Sequence, residues 1–212
     1  IRIMNKIIIC ILACICFAEY GDAFLIQTFQ SPTKGNIQQT WEYPDQIPIL
    51  ISRTGSDDLS PSKTDQLIRD SFKVWEDIPS SIVNFNFITD SKVHFPSEND
   101  RINLVYFDET NEYLKIPEGS GVIAVTRINS NSETGRIIDA DIIFNGRDFQ
   151  FFDGKNGLDN YINLKEVAIH EIGHLIGLEH TPIDGVAETR PTMNPYNKGD
   201  SIGEGETLEL DD

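Results

Sequence analysis

His170, His174 and His180 are three of the four histidines in a chain of 212 residues. All three fall in one stretch, HEIGHLIGLEH at 170–180. In a helix, residues four apart share a face, so His170 and His174 point the same way about one turn apart. Two neutral imidazoles at that spacing chelate a tetrahedral zinc ion. Glu171 stands next to the first of them. It can reach the open coordination position without being a ligand, and there take a proton from a water. Gly177 sits where the helix should stop. Glycine turns left-handed at little cost, and that turn would bring His180 back as the third ligand. A structural zinc would close its fourth position with another Cys or His. The remaining histidine, His94, is far away in sequence, and the three cysteines, Cys10, Cys14 and Cys16, all lie close to the start of the chain. The pattern implies one hydrolytic zinc per chain, with Glu171 as the general base.

Positioning these residues takes a helix and a sheet. NLKEVAIHEIGHLIG reads as the helix that carries the motif, with Asn163 as its cap and Glu166 at the third helical position, as in a capping box. A second long helix is predicted over SPSKTDQLIRDSFKVWEDI: Ser60 caps it, Pro61 suits its first turn, and Leu67, Ile68, Phe72 and Trp75 line one face. Strands are predicted at 47–54, 82–89, 102–107, 121–128 and 137–145 from apolar runs and alternation. The order is strand, helix, four strands, helix, which implies an α+β fold around one twisted, mixed five-stranded sheet. Residues 24–40 read as a short extended leader, and the part after the motif is loop-rich.

The chain begins with an apolar stretch. Lys6 precedes the run Ile7–Ala18, and Gly21 and Ala23 occupy the small-residue positions of a cleavage site, so 1–23 reads as a secretory signal peptide too short to span a bilayer. Its loss removes Arg2, Lys6, Glu19 and Asp22, two charges of each sign, and leaves the formal net charge at −17. So acidic a protein repels nucleic acid and anionic membranes. Loss of the segment also removes every cysteine. What remains is a secreted protein, monomeric, with neither disulfide nor thiol.

HEIGHLIGLEH followed by Met193 in PTMNPY resembles the metzincin clan of zinc endopeptidases. Within the clan it is similar to the matrixins, the matrix-metalloproteinase family. Thr181 follows the third histidine where matrixins usually have serine, and Pro195 stands two after the methionine. LIRDSFKVWEDI resembles their first helix and IIDADIIFN the strand before their active-site helix. The similarity spans 41–212, with the last helix incomplete at LELDD. It implies a secreted zinc endopeptidase acting on protein or peptide substrates. Met193 would form an apolar floor beneath the histidines. Pro195 and Tyr196 would wall a substrate side-chain pocket. Val122, Ile123, Ala124 and Val125 would belong to an edge strand that holds substrate as an added strand. Two departures stand out: no cysteine is available to cap the zinc from a propeptide, and His94 alone cannot build the family's second, structural zinc site. Calcium is a further candidate cofactor, through Asp139 and Asp141 on one strand face and Asp153 and Asp159 in the loop DGKNGLDN. The alternatives are a catalytically inactive binding module that keeps the fold, or another metzincin family.

Overall fold

The computed structural model describes residues 25–31, 33–154, 161–181, 191–195 and 208. A hairpin comes first, β1 (Thr28–Ser31) and β2 (Gly35–Gln38). It is followed by β3 (Ile47–Ile51), helix α1 (Pro61–Glu76), β4 (Phe85–Ile88), β5 (Leu104–Phe107), β6 (Ala124–Ser130) and β7 (Ile137–Phe144). The short strands β8 (Gln150–Phe152) and β9 (Tyr161–Asn163) then lead into helix α2 (Leu164–Leu175). Five strands form one mixed sheet in the order β4-β3-β5-β7-β6. Its β3, β4, β5 and β7 run parallel, while β6 is antiparallel to β7 and, among the described residues, has no strand on its other side. The architecture is α+β with two helices, as the sequence implies.

The local reasons are those read from the residues. Ser60 accepts from the Lys63 N–H at 3.3 Å and Pro61 opens the helix, so α1 starts where its cap dictates. Its Leu67, Ile68, Phe72 and Trp75 are all buried. Phe72 meets Phe85 and Phe87 edge-on, with ring centroids 4.6 and 5.4 Å apart. The inner parallel strands β3 and β5 are buried along most of their length, which explains why IPILI and LVYF read as near-continuous apolar runs. Two polar contacts fix α2 against α1. The Trp75 indole N–H donates to Ile169 O at 2.9 Å, and Ser71 Oγ to Lys165 O at 3.3 Å. A buried indole must find such a partner, and this one sets the rotation of α2 about its axis.

Three features differ from the sequence reading. Within the segment 24–40, read as an extended leader, the described residues include two paired strands. Residues 25–27 run along the end of α2, and β1 and β2 then form a hairpin with Phe29 opposite Ile37. A parallel pair absent from the expectation, β8 with β9, sets Phe151 beside Ile162 and delivers Asn163 to the start of α2. The edge strand begins at Ala124 rather than at 121, and it extends to Ser130. The expected signal peptide at 1–23 lies outside the described residues. So does the expected start of a last helix, Leu208 excepted, which packs against the core. No helix of the described residues is long and apolar enough to cross a membrane.

Candidate active site

The site is built by the two ends of α2. At its start, Asn163 Oδ1 accepts from the N–H groups of Lys165 and Glu166, at 3.0 and 3.4 Å. At its end, Gly177 takes φ 102°. Gly177 N–H donates to His174 O and Leu178 N–H to Gly173 O, both at 2.9 Å. These two reversed bonds close the helix in a Schellman turn. A side chain at 177 would be strained by that φ, and its Cβ would lie only 2.8 Å from Gln39 O. The turn sends the chain back along the helix face, so His180 arrives beside His170 and His174.

The three rings converge. His180 Nε2 lies 3.3 Å from His170 Nε2 and 3.1 Å from His174 Nε2. The edge of a tetrahedron with zinc–nitrogen bonds of about 2.0–2.1 Å is about 3.3–3.4 Å, so these separations fit one ion facing all three atoms. The other ring nitrogens are engaged. His170 Nδ1 lies 2.7 Å from Thr192 O and His174 Nδ1 2.8 Å from Leu178 O. A carbonyl only accepts, so each Nδ1 carries the hydrogen and each Nε2 keeps its lone pair. Burial favours the same neutral form. It pulls the His170 pKa down to about 4, against the Thr192 carbonyl, and lowers that of His174, aided by His170 and opposed by Glu171. Among the described residues, this is the one group of three or more potential ligand side chains that meet at a point.

Glu171 lies next to the triad and is buried. Burial raises its carboxyl above the usual range, while His174 and a hydrogen bond from Thr126 pull it down. That hydrogen bond is short: Thr126 Oγ1 donates to Glu171 Oε2 at 2.6 Å. Thr126 belongs to the edge strand β6, and sequence reasoning misses it. Nothing local marks it, because the contact joins residues 45 apart in the chain. Met193 is fully buried. Its sulfur lies against Gly173, where a Cβ would collide with Sδ and approach Trp75 Cζ2 to 3.0 Å. The glycine between the first two histidines is therefore what lets methionine and tryptophan pack under the helix. Met193 O also accepts from Thr181 N–H at 3.0 Å, which ties the methionine turn to the third histidine's segment.

The other predicted positions are distributed as follows. Ala124 and Val125 lie on β6. Val122 and Ile123 precede it, and their carbonyls accept from the Asn145 side chain at 2.8 Å and the Asn145 N–H at 2.9 Å. Asn145 thus anchors the entry to the edge strand, a role the sequence does not signal. Pro195 is half-buried two residues beyond Met193, and Tyr196 lies outside the described residues. Of the four candidate calcium ligands, the three that are described make separate contacts. Asp141 accepts from the N–H groups of Leu104 and Ser97, at 2.9 and 2.8 Å, and Asp139 from that of Arg101 at 3.3 Å. Asp153 pairs instead with Lys63 at the start of α1, and Asp159 lies outside the described residues.

An α+β domain with a helix-borne histidine triad, a buried glutamate beside it and a methionine beneath it has the layout of a metallopeptidase catalytic domain. The matrixin family model matches residues 40–200, and the chain belongs to the matrixins, a family of zinc metalloendopeptidases. A search of curated proteins found no match.

Two outcomes follow from this geometry. Gly173→Ala forces the Met193 and Trp75 side chains to shift, and should destabilise the fold by on the order of 1–3 kcal/mol in urea unfolding; an unchanged midpoint would show that the floor is loosely packed. The second concerns Asp141. Burial pushes its carboxyl up to about 7, against the Leu104 and Ser97 N–H groups. A carboxyl whose pKa is higher folded than unfolded favours the fold below about pH 4, and that contribution is lost as pH rises toward about 7. Asp141→Asn cannot titrate. Its stability relative to wild type should therefore rise between about pH 4 and 7, measured by urea unfolding across that range. A difference that stays constant with pH would contradict this.

Proposed function

We propose that this matrixin is an exported endopeptidase in which His170, His174 and His180 hold a single catalytic zinc ion and Glu171 is the general base. The observation that carries the reading is the convergence of three imidazoles, with His180 Nε2 at tetrahedral spacing from the Nε2 atoms of His170 and His174, beside a buried carboxylate. Bound there, zinc would supply Lewis acidity toward a peptide carbonyl and lower the pKa of a water. The remaining chemistry belongs to the chain. Thr126 holds Glu171 Oε2, which leaves Oε1 to accept the water's proton. Burial makes the carboxylate a stronger base than a solvated one. Once protonated, the same group faces the site and donates to the leaving amine. The open side of β6 suits an extended substrate laid down as a further strand, main chain to main chain. The apolar segment ahead of residue 24 supports export.

Three measurements test this. Glu171→Gln should lower peptide cleavage by about 10²–10⁴ while zinc content stays at the wild-type level, because Glu171 moves protons and does not ligate. His174→Ala should lose the metal. A Gln variant that cuts at near wild-type rate would overturn the assignment, whereas a wild-type chain that binds zinc and cuts nothing under any condition would favour the inactive binding module. Elemental analysis should return one zinc per chain, since His94 alone cannot build a second nitrogen site and residues 24–212 contain no thiolate; two tightly held zinc ions would point to an aspartate-rich site. Finally, the chain beginning at Phe24 should be active as purified and indifferent to mercurials, which act on thiols. Silence until 24–40 is trimmed, with activity afterwards, would make that segment a thiol-free lock.

A further inference from the structure

The hairpin region at 25–41 closes the C-terminal end of the active-site helix. The last carbonyls of a helix have no partners within it. Here the Trp41 indole N–H donates to Leu175 O at 2.8 Å. Ahead of the hairpin, residues 25–27 lie antiparallel to 177–179. Gln27 N–H donates to Gly177 O at 2.8 Å and Glu179 N–H to Leu25 O at 2.6 Å, with Ile26 opposite Leu178. That short ladder grips the segment that runs from the second histidine to the third. The hairpin is held in turn from two sides. Gln39 N–H donates to Gln27 O at 2.8 Å and Thr40 N–H to Gly135 O at 3.0 Å. At the tip, Lys34 Nζ donates to Glu133 O at 2.8 Å and Thr33 Oγ1 to Glu133 Oε2 at 3.1 Å.

One side chain of this segment reaches the triad. Gln27 Nε2 lies 3.2 Å from His174 Nδ1. A ring whose Nε2 faces a cation carries its hydrogen on Nδ1, so the group that complements it there is an acceptor. A half-turn of the Gln27 amide presents Oε1 to Nδ1 at the same place, and the N–H is then shared with Leu178 O, already 2.8 Å away. Residues 25–39 precede the stretch that matches the matrixin model. We propose that they form a clamp on the metal site, and that Gln27 is a positioning residue which orients His174 and raises the basicity of its Nε2 toward zinc. The proposal rests on the zinc reading above. It reverses the role a leader would have as a lock: the segment supports metal binding.

The test measures zinc affinity by competition with a chromophoric chelator, using the whole chain, alongside the melting temperature of the zinc-free protein. Gln27→Leu keeps the volume and removes the side-chain acceptor, leaving Leu178 O in place. Gln27→Glu keeps an acceptor, now charged. Loss of such a partner typically costs 10–100-fold in metal affinity. The expected result is that Gln27→Leu binds zinc about 10-fold or more weakly, with an unchanged zinc-free melting temperature, while Gln27→Glu binds at least as tightly as wild type. If Gln27→Leu does not fold, Gln27→Lys, which offers only donors, takes its place. Equal affinity for wild type and the acceptor-free variant overturns the proposal. So does equal weakening in Gln27→Leu and Gln27→Glu, which would indicate packing alone. A wild-type chain that takes up no zinc brings down the zinc reading, and this inference with it.

Discussion

Three imidazole nitrogens can face one point only if the helix that carries two of them ends on time. Gly177 is that ending. Were α2 to run on, His180 would be carried past the other two histidines by the rise of a helical backbone, about 1.5 Å per residue. Instead the Schellman turn reverses the chain within three residues of His174. Everything around the site serves this geometry. Trp41 and Gln27 bond the carbonyls at the helix end, Leu178 O receives His174 Nδ1, and Thr192 O receives His170 Nδ1. The carbonyls that fix the ring tautomers belong to the same turns that fix the ring positions. Orientation and protonation state are therefore set together, by carbonyl acceptors rather than by further titratable groups.

The axial position and rotation of α2 are set from the other side, by the core. Trp75 of α1 bonds Ile169 O and lies under Gly173, next to Met193. A side chain at 173 would lift the helix off this floor, and the histidines on either side would move with it. The mixed sheet supplies the remaining wall. β6, the one antiparallel strand of this sheet, lies at an edge of it, and its Thr126 meets Glu171 of α2. A parallel strand at that position would need a long crossover covering the sheet's face or edge. The antiparallel turn between β6 and β7 needs no such crossover, and among the described residues no strand pairs with the outer side of β6. The topology thus accounts for two properties of one strand, a hydroxyl on the glutamate and an unpaired backbone edge beside it.

What can be read from the sequence is local. Ser60, Pro61 and Asn163 announce helix starts, Gly177 announces a stop, and the spacing of His170 and His174 defines a face; each depends on residues within about a turn of one another. Alternation and apolar runs also reveal the five sheet strands, to within a few residues at their ends. The contacts that stay hidden are long-range. Thr126 meets Glu171 across 45 residues and Gln27 meets His174 across 147. Neither residue has a type or neighbour that marks it. The hairpin at 28–38 is hidden for a related reason: FQSPTKGNIQ is short and polar, and it is held by Glu133 and Gly135 rather than by its own alternation. Likewise β8 and β9 pair in parallel over three residues, too few for a periodic signal.

The acidic residues show how burial changes the meaning of a motif. In sequence, Asp139 and Asp141 look like ligands because they alternate with apolar residues on one strand. In the fold both are buried, and both meet backbone N–H groups of the 97–104 segment. A buried carboxylate that accepts N–H groups can act as a splint for an irregular loop, supplying the acceptors that a strand partner would otherwise provide. Asp108 does the same for 110–114, accepting from the N–H groups of Thr110, Glu112, Tyr113 and Leu114. There the hydrogen bonds outweigh burial and its pKa falls. At Asp141 burial outweighs two such bonds and the pKa rises. The difference tracks the deeper burial of Asp141, then the number of backbone donors, two there against four, and the acidic company of Asp139 and Asp100. Acidic composition in this protein is therefore not surface alone, since part of it organises the two long loops that lead from β4 to β5 and from β5 to β6.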